Sequence, residues 1–519
     1  MKLRLLSIPF FLFYLGIQTT QAQSVLDNAH LLSKDIQTGT ARFKAMGNVQ
    51  TAVGGDISSI TGNPAGLGFY GQSDLSISTS FFSNQNSSNY FGQQTKIAQN
   101  KFGLENIGLV IHSNVSQDPD FGWQSFNMGF SFDRQSNFNE KLSYAGNNTR
   151  NTIVQYLSDE MFYNSGFTSD FRKSYLVDQF ADAANGYFPT VLEADPKNQQ
   201  FDHTNQGYKY RTNISFGANY GNKIYVGMSV GFLTYKSTFT QSVFEGGWTK
   251  RADEITPDNP NSEFAKPNTV ESRYLDINYE LTDYKDMKTE GTGGNLSLGL
   301  IYKPSWDWNL GVSFTSPTWT EVKQEDWLET VANYYEDENA TNTLHPAYNS
   351  KVGGGILEYS ILTPWKASFG ATKFHGRGLF SAEIEYVDYS VMNYTDISLD
   401  PNINQENEFN KTFSNQFKGN ANVRLGTEYL FTDQLTGRAG VNFIGSAFKD
   451  VKSFDSNISL GLGYVLASKF YVDFAAVKSV NKAQSHTTYQ LEDVWNSPNP
   501  TADVKNSRLN MVLTLGTKF

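Results

Sequence analysis

Two sets of residues in this 519-residue chain could do chemistry. The first is six histidines: His30, His112, His203, His345, His375 and His486. Hydrolysis needs a base beside a nucleophile, and a metal site needs ligands at short, regular spacing. These six are scattered and form no such pair, and there is no cysteine to act as nucleophile or thiolate ligand. No catalytic residue, metal or cofactor is expected, and the acidic run 336–338 reads as solvated surface rather than a Ca²⁺ site. The second set is charges embedded in alternating apolar stretches. Glu383 and Glu385 alternate with Ala382, Ile384 and Tyr386; Arg424 and Glu428 lie among Val423, Leu425 and Tyr429; Arg438 precedes Ala439 and Val441. Asp473 sits between Val472 and Phe474.

Such charges imply the elements that carry them. Successive strand residues point to opposite faces, so each stretch has an apolar face and a polar one. An Arg or Lys facing lipid at the midplane would cost about 2–4 kcal/mol, which puts the charged face inside a lumen. Glu383, Glu385, Arg424, Glu428 and Arg438 are then expected to pair across the inner wall as a charge ladder. The same alternation begins at Asp74, with Leu75, Ile77, Thr79 and Phe81 opposing Ser76, Ser78 and Ser80. It recurs in about 14 segments, ending near 508–519. Short links, near 115–121, 221–222, 304–307, 374–377, 432–433 and 467–469, alternate with long ones, near 84–103, 135–207, 241–290, 323–354, 394–417 and 483–506. The link near 449–455 alone is short where a long one is due. An even strand count with loops sorted by side is the pattern of an outer-membrane β-barrel, and a secreted sandwich has no reason to sort them.

Residues 1–22 have the form of a secretory signal: Lys2 and Arg4, an apolar run over 5–17, and small residues at Thr20 and Ala22. The run is too short for a spanning helix. The net charge of −11 argues against nucleic acid as a partner, and a mean hydropathy of −0.44 argues against a helical membrane protein. Tyr220, Tyr302, Trp306, Trp308, Trp365, Tyr429, Phe431 and Tyr464 are expected to form an aromatic girdle at the short-turn end. The last strand ends on Phe519 in phase with its lipid face, similar to the C-terminal signal of bacterial barrels, and points to assembly by the barrel-insertion machinery. Within the longest loop, 151–158 and 175–184 are expected to be short helices, and the loop to cover the mouth.

One stretch breaks the alternation. Residues 39–69, GTARFKAMGNVQTAVGGDISSITGNPAGLGF, are small and Gly-rich, and are expected to fold back and close the bore. A barrel of this size needs such a filling if small solutes are not to leak. In Gly39-Thr40-Ala41-Arg42, Ala45-Met46-Gly47, Thr51-Ala52-Val53-Gly54-Gly55-Asp56 and Asn63-Pro64-Ala65-Gly66-Leu67 the chain resembles the FadL/TodX-type family of outer-membrane transporters for hydrophobic compounds. One departure is Asn48, where that family usually carries a second glycine.

The resemblance implies an all-β fold, a transmembrane antiparallel barrel of about 14 strands over 73–519 with an N-terminal plug over 23–72 in its lumen. It implies a monomer of the bacterial outer membrane, in contact with lipid and lipopolysaccharide, that passes hydrophobic small molecules without an energy source. Long-chain fatty acids and aromatic hydrocarbons are the expected cargo, captured by outer loops and released past the plug, sideways through the wall. It carries Gly54, Gly55, Asp56, Asn63, Pro64 and Ala65 over as plug or gate residues, with the Asn-Pro-Ala triplet near a kinked third strand. The alternatives are a general porin and a receptor for haem or another lipophile.

Overall fold

The computed structural model describes residues 25–26, 28–34, 38–115, 121–163, 171–335, 348–397, 406–467, 469–480, 483–492 and 495–519. The expected signal segment and the acidic run 336–338 lie outside the described residues.

Among the described residues, fourteen wall strands form one closed antiparallel barrel. They are β1 (Asp74–Tyr90), β2 (Gln93–Asn114), β3 (Trp123–Asn137), β4 (Lys197–Tyr220), β5 (Ile224–Trp248), β6 (Asn278–Ser305), β7 (Trp308–Thr315, resumed as Trp319–Tyr335), β8 (Tyr348–Leu362, resumed as Lys366–His375), β9 (Gly378–Asp388, resumed as Asn393–Asp396), β10 (Gly419–Leu430), β11 (Leu435–Gly445), β12 (Phe454–Ala467), β13 (Phe470–Val480) and β14 (Thr501–Lys518). β14 pairs with β1 from Asp74↔Lys518 to Asn89↔Asp503 and so closes the ring. No helix among the described residues is long and apolar enough to cross a membrane.

The apolar face points outward. Phe380, Leu460 and Leu298 are 68 %, 61 % and 49 % exposed, whereas their neighbours Ser381, Ser459 and Ser297 are buried. With lipid as the only large apolar phase available to that surface, the wall is built to span a bilayer.

Three expectations are corrected. The long link near 84–103 and the described part of that near 323–354 are mostly strand, and that near 241–290 is strand at both ends: β1 and β2 join through Phe91 and Gly92 alone, and β6 runs for 28 residues. At about 3.3 Å per residue, such strands rise far beyond an apolar band about 25 Å tall. Above that band neither face meets lipid, so the alternation fades. In the longest loop the helix is Ile153–Tyr163, while 175–184 holds a short strand, Val177–Gln179, paired with Tyr187–Pro189. Its apolar residues, among them Ile153, Leu157, Met161 and Phe188, are buried in one cluster with Tyr90, Tyr144, Tyr279 and Tyr334 at the strand tips. Finally, Trp365 does not belong to the short-turn girdle. It lies ten residues before the end of β8 at His375, with its ring 6.2 Å from Phe314 and 5.7 Å from Tyr386.

Candidate functional site

The residues before β1 make a compact set of turns. Thr40 caps the helix Ala41–Ala45 by accepting from Phe43 N, Asp56 caps the turn Ile57–Ile60 through Ser58 N, and Asn63 caps Pro64–Phe69 through Ala65 N. The Asp56 carboxylate also accepts from Thr40 Oγ1 at 2.9 Å, tying the first turn to the second. Gly47, Gly54 and Gly55 have φ of 68°, 68° and 66°. Asn48 follows at 65°, a left-handed angle that asparagine tolerates better than other side chains, so the departure from a second glycine keeps the turn.

This segment is seated on the inner wall by glycine. A Cβ on Gly108 or Gly129, of β2 and β3, would strike Ile57 or Ile60. One on Gly217 or Gly227, of β4 and β5, would strike Leu67 or the Pro64 backbone. Gly299 of β6 faces Asn63, Gly311 of β7 and Gly370 of β8 face Thr51 and Ala52, and Gly426, Gly440 and Gly461 of β10–β12 face Met46, Gly47 and Ala45. Ten wall strands thus omit a side chain where residues 45–67 approach.

Polar groups complete the seating. Asn63 Nδ2 donates to Thr51 O at 2.6 Å, and Asn127 Nδ2 on β3 donates to Leu67 O at 2.8 Å. Pro64 and Ala65 lie against β5, so the Asn-Pro-Ala triplet rests on β5 and β6, and the third strand is met by Ile60 and Leu67 on either side of it.

The five expected wall charges fall into two clusters rather than one ladder. Arg424 donates to Glu383 and, at 2.6 Å, to Glu385. Arg438 reaches Glu428 at 2.6 Å and Asp473 at 2.5 Å. Both clusters also hold the segment. Glu383 Oε2 accepts from Gln50 N at 2.9 Å and Thr51 N at 2.8 Å, and Glu428 accepts from Arg42 Nε at 2.9 Å and Nη2 at 3.1 Å. Burial opposes the Arg42 charge, but the Glu428 carboxylate outweighs it and holds the guanidinium pKa above its ordinary value. Sequence reasoning missed a third cluster, Glu105 with Arg134 at 2.6 Å and Lys44 at 3.4 Å. Its acid lies in a stretch where the alternation has already faded.

Sequence reasoning also missed the chain just before the segment. Residues 28–33 are helical. Val25, Leu26, Ala29 and Leu32 are buried among Leu233, Tyr235, Val322, Tyr359, Ile361, Phe409, Phe413 and Phe417. Asn28 Nδ2 donates to Gln324 Oε1 at 2.7 Å and Tyr359 Oη at 3.1 Å. The spacing of Val25, Ala29 and Leu32 was the available signal, a helical period in a short window. His30 stacks with Phe417 at 5.9 Å and touches Phe448 at 4.8 Å. Burial, with Lys34 and Lys209 adding to it, lowers its pKa to about 4.

Between this apolar nest and the segment below lies a cavity of about 340 Å³. Lys34 and Leu31 bound it on one side, Lys44, Asn48 and Gln50 on the other, with Arg211, Lys366, Glu383 and Arg424 from the wall. Most of its lining side chains are polar or charged, so it is a polar chamber. No group of His, Asp or Glu able to hold a metal occurs among the described residues.

No protein-family model matches the sequence, and no curated protein matches it. Solved structures do. A Pseudomonas aeruginosa FadL homologue aligns over 93 % of this chain and 99 % of its own, at 12 % identity and a TM-score of 0.53. The Pseudomonas putida toluene transporter TodX aligns over 94 % and 100 %, at 14 % identity and a TM-score of 0.50. A deletion mutant of TodX, described as a monoaromatic hydrocarbon channel, aligns over the same shares at 13 % identity and 0.52. At these identities the likeness is one of fold, and it extends over nearly the whole barrel.

Proposed function

We propose that the chain is an outer-membrane channel for passive uptake of hydrophobic small molecules, with long-chain fatty acids and aromatic hydrocarbons as the cargo class. The observation that carries this reading is the seated N-terminal region. Residues 40–70 occupy glycine-lined positions on strands around the bore, and the helical residues ahead of them fill an apolar nest above it. A bore so filled has no use as an open water pore. An apolar nest held by a short, displaceable helix is a place where a lipophile can compete. The fold shared with a toluene transporter and a FadL homologue supports the same class. In this reading residues 1–22 are a cleaved signal, 23–72 the plug and 73–519 the barrel, inserted as a monomer by the barrel-assembly machinery. Gly54, Gly55, Asp56, Asn63, Pro64 and Ala65 form the gate, and the pairs around Arg424 and Arg438 hold it shut.

The polar chamber favours a second reading, a general porin whose plug moves aside. One experiment separates the two. Cells lacking the protein are complemented with the full chain or with an Asn63→Ala/Pro64→Ala variant, and uptake of labelled oleate, toluene and a small sugar is followed. Entry of the lipophiles but not the sugar through the full chain supports the channel. Entry of the sugar with no dependence of the lipophiles makes it a porin.

A further inference from the structure

We infer that the wall opens sideways between β8 and β9, at the level where β7, β8 and β9 are interrupted together, and that an apolar compound passes there between lumen and lipid. This rests on the transport reading above and gives a place to the sideways release that the resemblance implies. The interruptions are residues 316–318, 363–365 and 389–392. The registers set them side by side. Thr315 pairs with Lys366 and Trp319 with Leu362 across β7 and β8, while Lys366 pairs with Val387 and Leu362 with Asn393 across β8 and β9. Between the last two pairs, residues 363–365 face residues 388–392, three against five. Two interruptions carry a proline, Pro317 and Pro364, with no N–H for a ladder.

The two seams differ. β7 and β8 stay joined through the break, with Thr363 N donating to Thr318 O at 3.1 Å and Thr318 N to Thr363 Oγ1 at 2.9 Å. The length mismatch falls on β8 and β9. There the turn Tyr389–Val391 crosses the wall: Tyr389 is buried in the apolar nest, and Val391 is exposed on the outer face. Outside, the Trp365 ring lies against Phe314 and Tyr386, over the break.

The gap between β2 and β3 is polar instead. β3 leaves β2 beyond the pair Asn106↔Asp133, but Arg134 with Glu105 and Lys101 with Asn139, each at 2.6 Å, stand in that gap. The chamber below the nest is charged as well. An apolar compound would have to strip water and partners from those charges, at a cost the β8–β9 seam does not impose.

The chain has no cysteine, so a staple can be introduced cleanly. Thr363→Cys/Met392→Cys bridges the seam, and Thr372→Cys/Ser381→Cys, whose parent hydroxyls lie 2.9 Å apart on the unbroken part of the same strands, is the control. Initial uptake of labelled oleate and toluene is measured oxidised and reduced, with the disulfide quantified in the unfolded protein. The seam staple should lower uptake about tenfold when oxidised, as expected for a locked gate, with recovery on reduction and no effect of the control. Trp365→Ala, which needs no disulfide, should raise uptake about two- to threefold by uncovering the seam. Unchanged uptake with the seam disulfide formed, loss with both staples alike, or no change in Trp365→Ala overturns the inference and leaves transport standing. No uptake dependent on the unmodified chain overturns the transport reading, and the opening falls with it.

Discussion

A single methyl group on the inner wall should unseat the N-terminal segment. In Gly440→Ala the added Cβ would lie 2.1 Å from Gly47 N and 2.3 Å from the Met46 carbonyl carbon, and in Gly227→Ala it would lie 2.3 Å from the Pro64 carbonyl carbon and 2.4 Å from Ala65 N. Carbon contacts rest at about 3.5 Å, so each site is about 1 Å short. Both obstacles are backbone, and both belong to the segment rather than to the wall. The wall is tied into a closed hydrogen-bonded ring, so the segment gives way first. Overpacking of this kind costs about 1–3 kcal/mol. At 1.4 kcal/mol per tenfold, the seated fraction falls relative to the open one by roughly five- to a hundredfold. The two glycines lie on β11 and β5 and share no partner, so the double variant should add their effects. The assay is conductance in planar bilayers together with sugar-driven liposome swelling. Each variant should leak in proportion to its unseated fraction. Gly71→Ala, whose Cβ would meet nothing within 4 Å, should behave as the parent. Equal conductance of Gly440→Ala, Gly227→Ala and the parent would refute the argument that these glycines seat a plug.

Three further outcomes follow from the charges. Glu428→Gln leaves Arg42 and Arg438 facing a neutral amide, and should weaken seating by about 3 kcal/mol, the low end for a broken buried pair because the carboxylate retains some solvent contact; trypsin should then cut after Arg42 or Lys44 faster, and an unchanged rate counts against it. His30 is held at about 4 against an ordinary 6.5, so between those values the undocked chain takes up a proton that the docked chain does not. Docking of the helical residues should therefore weaken as pH falls through that window, by up to about 3 kcal/mol, and His30→Phe should abolish the dependence in proteolysis of the N-terminal region. In the outer loops, burial pushes the Asp159 carboxyl up to about 6 against a 2.7 Å bond from Trp495 Nε1. The folded loop then binds the extra proton between the ordinary carboxylate value and about 6, so its stability falls as pH rises through that range; Asp159→Asn should remove the slope in chemical denaturation followed by near-ultraviolet circular dichroism.

The barrel was legible in the sequence because lipid imposes a simple rule. Where one face meets hydrocarbon and the other does not, as in Leu296, Leu298 and Leu300 against Ser297 and Gly299, a period of two must appear. Above the bilayer the rule lapses. The run Asn84–Tyr90 is strand all the same, held by cross-strand backbone pairs that any polar side chain permits. The wall charges were legible as inward-facing, but their partners were not. Glu383 and Glu428 bind atoms more than 330 residues away, and no local spacing encodes that. The inward glycines were visible as members of the polar face, but their use as seats depends on the path of another segment. The helical residues near Asn28 leave little trace in the sequence because a window this short carries few periods.

The most direct test of transport uses the purified full chain in proteoliposomes, with transfer of labelled oleate and toluene and permeation of a small sugar measured on the same preparation. Transfer of the lipophiles well above protein-free vesicles is expected, while the sugar stays out. Permeation by the sugar without faster transfer of either lipophile would contradict it, and would make the seated segment the gate of a water-filled pore.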